Sequence, residues 1–246
     1  MPARQKPWHD DDNGTLQVSA ASMAQASAPD PRAPRCRTGI THLQRLDAGH
    51  QRFLNGQSEH PHASSQRLKH LVQGQHPIAA ILSCADSRVP VELLFDAGFG
   101  DLFVVRNAGN ACTSATIASL EYGILALGVP LVLVMGHEGC GAVTAACQPH
   151  GTLTPELHAL VHTIRQGLDE NPISQELSTA FRQNPIQSAR HLVRGSSLIR
   201  ERIAAGQLLL EAAYYTLCRG EIEWLGAIDA DEGLQQPHLH RSAGPG

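Results

Sequence analysis

Three things are scarce in this 246-residue chain, and each absence removes a class of function. There is no basic excess: 19 Lys and Arg stand against 23 Asp and Glu, for a formal net charge of −4. Nucleic acid and anionic membrane surfaces select cationic faces, so neither is expected as a main partner. Nor is there a long apolar run. None approaches the roughly 18 residues of a membrane span. The opening "MPARQKPWHDDDNG" lacks the apolar core of a secretory signal, and its acidic "DDDNG" does not suit an organelle transit peptide. Cysteine is sparse as well. Cys36, Cys84, Cys112, Cys140, Cys147 and Cys218 sit mostly in apolar segments, without finger-like spacing. That pattern argues against a disulfide framework and for a reducing, cytoplasmic location with free or metal-bound thiols.

What is present reads as one large domain with tails. At 42% hydrophobic residues the chain can bury a sizeable core. Residues 1–38, rich in Ala, Ser, Pro and Asp, read as a flexible extension, and 229–246 as a flexible tail. The pair His238 and His240 in that tail reads as solvated. Between the tails, residues 39–228 alternate strand-like and helix-like segments. "GITHLQRLDAGHQRFLNG" places Leu43, Leu46, His50, Phe53 and Leu54 on one helical face and stops at Gly56. "IAAILS" (78–83), "DLFVV" (101–105) and "PLVLVMG" (130–136) read as strands, the first two apolar enough to be buried on both faces. "TSATIASLEYGILALG" reads as a helix capped by Thr113 or Ser114 and closed by Gly128. A mainly helical stretch follows at about 154–205, then one or two final strands in "QLLLEAAYYT" and "EIEWLG". The alternation predicts an α/β fold with a mainly parallel central sheet flanked by helices.

In such folds ligands bind beyond the carboxyl ends of the strands. Two strand ends carry cysteine: "CADSR" after 78–83 and "GHEGCGAV" after 130–136. Cys84, His137 and Cys140 together make a two-thiolate, one-imidazole set suited to Zn²⁺, with the fourth tetrahedral position open as in catalytic sites. Gly139 and Gly141 would let the backbone turn tightly around the ion. Spacing alone leaves a second reading open, that of two unrelated buried cysteines and a satisfied histidine. Asp86 and Arg88 are a surface ion pair on one reading. On the other, Asp86 orients the oxygen at the fourth position or occupies that position itself, and Arg88 holds it bidentately and selects between the two states.

With these residues in view, the chain resembles the β-class carbonic anhydrases. "CADSRVP", "DLFVVRNAGN", "SLEYGILALGV" and "GHEGCGAV" carry the likeness, in the family's order and with family-like separations. A looser likeness extends over 39 to about 228, through "LLLEAAYYTLCRGEIEWLG". The resemblance implies zinc held by Cys84, His137 and Cys140, with Asp86 a ligand only in a closed state, and a catalytic dyad of Asp86 and Arg88. It implies substrate-binding roles for Gln75, Phe103, Tyr122 and Gly139, with Phe103 and Tyr122 lining a CO₂ pocket near a dimer interface. The implied reaction is reversible hydration of CO₂ to bicarbonate and a proton by zinc-bound hydroxide. The implied assembly is a homodimer or a larger homo-oligomer built from dimers.

The chain also departs from the family pattern. Ile81 stands where one branch has a Trp of an inhibitory bicarbonate site, and Ser83 stands in place of a small Gly, which implies the open type without that switch. Ala126 stands where some members carry a shuttle histidine, leaving Tyr122 or buffer as proton carriers. Two alternatives stay open: a thiol enzyme with Cys84 as nucleophile, and a catalytically silent homologue. The extension 1–38 is a candidate docking segment for a larger assembly, such as a bicarbonate-using microcompartment.

Overall fold

A computed structural model describes residues 8–10, 16–18, 36–149, 151–168 and 176–232. Most of the expected N-terminal extension, the C-terminal tail beyond 232 and the His238–His240 pair lie outside the described residues. Within the extension, β1 (Trp8–Asp10) and β2 (Leu16–Val18) pair antiparallel.

Helix α1 (Arg37–Leu54) opens with the Cys36 Sγ accepting the Gly39 N–H at 3.4 Å. Helix α2 (Ser65–Leu71) follows, then β3 (Ala79–Cys84), the short α3 (Val91–Leu94), β4 (Leu102–Asn107) and a single 3₁₀ turn at Ala108–Asn110. Helix α4 (Ser114–Ala126) is capped by the Thr113 hydroxyl and leads through Gly128, at φ +69°, into β5 (Leu131–His137). Helices α5 (Gly141–Cys147), α6 (Pro155–Gly167), α7 (Leu177–Gly195) and α8 (Ser197–Ala204) precede β6 (Leu209–Tyr215) and β7 (Ile222–Ala227).

The main sheet has five strands in the order β4-β3-β5-β6-β7. The first four run parallel, and β7 turns back antiparallel on β6. Every residue of β3, β5 and β6 is buried, as expected for β3; β4, also expected to be buried on both faces, is instead an edge strand whose residues are mostly only partly buried. One face of the sheet packs Ala80, Leu82, Val132, Val134 and Leu210 against α4, α7 and α8, through Leu120, Leu192 and Ile199 among others. The other face packs Ile81, Leu133 and Met135 against Leu46 of α1 and Val91 and Leu94 of α3.

The buried face of α1 differs from the expected one at its end. Leu46 and His50 are buried, as are Gly39 and Gly49, but Leu54 is 37% exposed. The helix lies so close to the sheet side that a Cβ on Gly49 would stand 2.0 Å from the Phe95 carbonyl oxygen. The glycines set the contact line, and the last turn runs off it.

The chain leaves β3 toward β4 on one side, then crosses back to place β5 on the other. The crevice at such a switch point, beyond the strands' carboxyl ends, is where α/β sheets bind ligands. Cys84 ends β3 and His137 ends β5.

Candidate metal centre

Cys84, His137 and Cys140 meet at this crevice, with their ligand atoms within 4.8 Å of one another and all three residues buried. The two sulfurs are 3.9 Å apart. That is far beyond a disulfide bond of about 2.05 Å. It agrees with the separation of about 3.8 Å that two thiolates take on a tetrahedral zinc with bonds of about 2.3 Å. The His137 Nδ1–H donates to the Glu138 carbonyl at 2.8 Å, which fixes the tautomer and turns the Nε2 lone pair into the cluster. Nε2 is buried and has no hydrogen-bond partner. An orphaned imidazole lone pair beside two thiols is costly unless a cation completes it, so the residues present fit a zinc ion.

The local backbone explains the convergence. Gly139, at φ +64°, turns the chain so that Cys140 at the head of α5 faces back toward His137. Cys84 receives the Gly109 N–H on its sulfur at 3.3 Å. The two sulfurs are within hydrogen-bonding reach of each other. The Cys84 thiol is drawn below its ordinary value, first by the Cys140 thiol and then by His137 and the Gly109 N–H, against a burial that raises it. Cys140 is pushed up by the same bond to Cys84 and by burial.

Asp86 lies just outside the cluster. Arg88 holds it with three bonds: Nε to Oδ1 at 2.9 Å, a terminal nitrogen to Oδ2 at 2.7 Å, and its own backbone N–H to Oδ1 at 2.9 Å. The Arg88 guanidinium keeps the Asp86 carboxyl well below the usual carboxylate range. Asp86 Oδ2 stands 3.9 Å from His137 Nε2. A terminal nitrogen of Arg88 also reaches the Gly139 carbonyl at 3.5 Å. Arg106, which the sequence reading did not single out, donates to the Cys84 carbonyl at 3.0 Å and to the Asp86 carbonyl at 2.7 Å.

The remaining expected site residues are elsewhere. Phe103 pairs with Ala80, four residues up β3 from Cys84, or about 13 Å along the strand. Its ring stacks on Tyr122 at 6.0 Å, and Tyr122 is 43% exposed. Gln75 is exposed and precedes β3 at the opposite end from the cluster. Ile81 and Ser83 are fully buried in the strand.

Comparison with known proteins places this arrangement. The family model described as carbonic anhydrase matches residues 79–222. Carbonic anhydrase 2 of Mycobacterium tuberculosis is 37% identical over 183 residues, covering 71% of this chain and 87% of that protein. The carbonic anhydrase of Mycolicibacterium smegmatis is 35% identical, covering 72% and 89%. Among solved structures, the β-carbonic anhydrase CcaA superimposes with a TM-score of 0.58 at 27% identity, over 75% of this chain and 95% of that one. One of two tetrameric β-carbonic anhydrases of Sordaria macrospora shares the fold, at a TM-score of 0.57 and 23% identity, over 76% and 95%. A family model spanning more than half the chain and relatives matched over most of their length agree with the strand-end chemistry: this chain belongs to the β-class carbonic anhydrases.

Proposed function

We propose that the protein hydrates CO₂ reversibly at a zinc ion held by Cys84, His137 and Cys140, with Asp86 and Arg88 as the orienting dyad. The observation that carries this is the bare His137 Nε2, buried between two thiols and 3.9 Å from the Asp86 carboxylate. Zinc, when bound, would supply the Lewis acidity that makes a hydroxide nucleophile available near neutral pH. Asp86, ionised and gripped by Arg88, accepts the O–H of that nucleophile and so turns an oxygen lone pair toward the CO₂ carbon. The new C–O bond forms as one C=O electron pair moves onto its oxygen. The product is bicarbonate, and the proton of the next water would pass to buffer. With both carboxylate oxygens engaged by Arg88, Asp86 is poised to orient rather than to ligate, which supports the open form of the site.

The substrate pocket is completed by a second copy of the chain. Gln75, Phe103 and Tyr122 lie away from their own cluster, while β4 is an edge strand whose side chains are only partly buried. A two-fold dimer across that edge would bring them to the partner's crevice. A thiol-nucleophile enzyme is disfavoured, since Cys84 is 5% exposed and Arg88 is committed to Asp86.

Purified protein is expected to contain about one zinc per chain, to hydrate CO₂ and to sediment as a dimer or a multiple of one. Cys140→Ala should lose metal and activity together. Full activity without zinc would sink the metal reading, and full activity in a monomer would remove the shared pocket.

A further inference from the structure

We propose that Asn184, on α7, is a positioning residue for the Cys84 sulfur. Helix α7 is pressed against β5 one residue before His137: a Cβ on Gly136 would stand 2.8 Å from Pro185 Cδ and 3.3 Å from the Phe181 carbonyl oxygen. That contact fixes the neighbouring Asn184, which is 3% exposed. The Asn184 side-chain amide donates to the Gly109 carbonyl and to Asn110 Oδ1, both at 2.9 Å. Gly109, at φ +73°, in turn points its N–H at Cys84 Sγ, 3.3 Å away. A Cβ on Gly109 would stand 2.6 Å from Ile164 Cδ1, so α6 closes the same turn from outside. On its other side Asn107 Oδ1 accepts the Ala111 N–H at 2.7 Å. The 3₁₀ turn is therefore a clamped element that presents the Gly109 amide to the sulfur.

An N–H bonded to a metal thiolate withdraws electron density from it, so the sulfur gives less to the cation and leaves it a stronger Lewis acid. With two thiolates on one ion, this withdrawal matters more than in an all-imidazole site. Asn184 touches neither metal nor substrate; it acts by holding the Gly109 amide in line. The inference rests on the zinc reading of Cys84.

The test replaces zinc by Co²⁺ and records the sulfur-to-cobalt charge-transfer band. Asn184→Leu should shift the band to lower energy, because an unbonded thiolate gives up its electrons more readily, and should lower kcat/KM about tenfold. Ala189→Gly is the control: it weakens the same helix at a fully buried core position and should leave the band in place. If Asn184→Leu does not fold, Asn184→Ser is read in the same way. A band unmoved in the Asn184 variant, or moved equally in Ala189→Gly, overturns this inference alone. A wild-type chain that takes up neither metal overturns the zinc reading and this inference with it.

Discussion

Lowering the pH should loosen α1 through one residue, His50. This side chain is 1% exposed. Its Nδ1–H donates to the Leu94 carbonyl at 3.0 Å, and Nε2 accepts the Ile222 N–H at 3.1 Å. The neutral ring thereby ties α1 to the end of α3 and the start of β7, with the Phe53 and Phe95 rings beside it. A proton on Nε2 would set a second donor against the Ile222 N–H. Burial lowers the His50 pKa below its ordinary 6.5, outweighing the Leu94 carbonyl and the carboxylates of Asp47 and Glu221, which act to raise it. The unfolded chain therefore takes up the proton first as pH falls. The stabilisation is complete above the unfolded value and is lost below it, down toward the depressed folded value. The slope from one group cannot exceed about 1.4 kcal/mol per pH unit, so the fall from pH 6.5 to 5 costs at most about 2 kcal/mol. In a chain of this size that lowers the melting temperature by about 4–8 °C. The assay compares wild type with His50→Gln between pH 8 and 5, by urea unfolding or calorimetry. Glutamine does not titrate, and it should cost about 1–3 kcal/mol at pH 8 by leaving a buried partner unmet. Every other titrating group is common to both proteins, so the difference isolates His50. The stability gap should narrow as the pH drops through 6.5. A gap that stays constant refutes the reasoning.

Two further outcomes follow from the site. Arg106→Ala frees the carbonyls of Cys84 and Asp86; CO₂ hydration should fall about tenfold with metal content kept, and Arg106→Lys should recover part of it, whereas an unchanged rate would show that the turn holds itself. In metal-loaded protein the exposed Cys218 should alkylate first, Cys84 and Cys140 should follow only after chelation, and Cys112, whose thiol burial pushes up to about 12, should wait for unfolding; mass spectrometry that finds Cys84 and Cys140 equally reactive with and without chelator would argue against a bound metal.

The Cys84, His137 and Cys140 cluster was legible in part: Cys84 and His137 end buried strands and Cys140 follows three residues on, though spacing alone left two unrelated buried cysteines open. A wholly apolar run must be covered on both faces, its end must face the crevice, and cysteine or histidine placed there has few ordinary reasons to be charged or bare. The Asp86–Arg88 pair was legible for a similar reason, since the two are joined within one turn. Arg106 and Asn184 were not, because each acts on distant backbone. Arg106 reaches across to the neighbouring strand's carbonyl, 22 residues away, and Asn184 contacts Gly109 from 75 residues away. Neither contact leaves a local pattern. Pro185, of a residue type that ordinarily kinks or breaks helices, is tolerated inside α7 and packs onto Gly136. Leu54 misled because a 3.6-residue period says which side chains align, not where the line of contact with the sheet ends.

The strand register also explains why the sequence brings together residues that one folded chain keeps apart. Gln75 is nine residues before Cys84, close in the chain. β3, six residues from Ala79 to Cys84, fills most of that interval, so the two stand at opposite ends of a strand about 20 Å long. Phe103 sits on β4 at the level of Ala80, nearer the end that Gln75 precedes, while Asn107 is level with Cys84. A rigid parallel sheet offers no motion that closes such a gap within one subunit. A two-fold axis perpendicular to the strands would: it would reverse the partner's strands and bring their amino-terminal ends beside this chain's carboxyl ends. On the proposed reading each subunit then gives its ligands and dyad to one site and its Gln75, Phe103 and Tyr122 to the other. The two sites form together or not at all, and a chain held monomeric would keep its metal and lose its pocket.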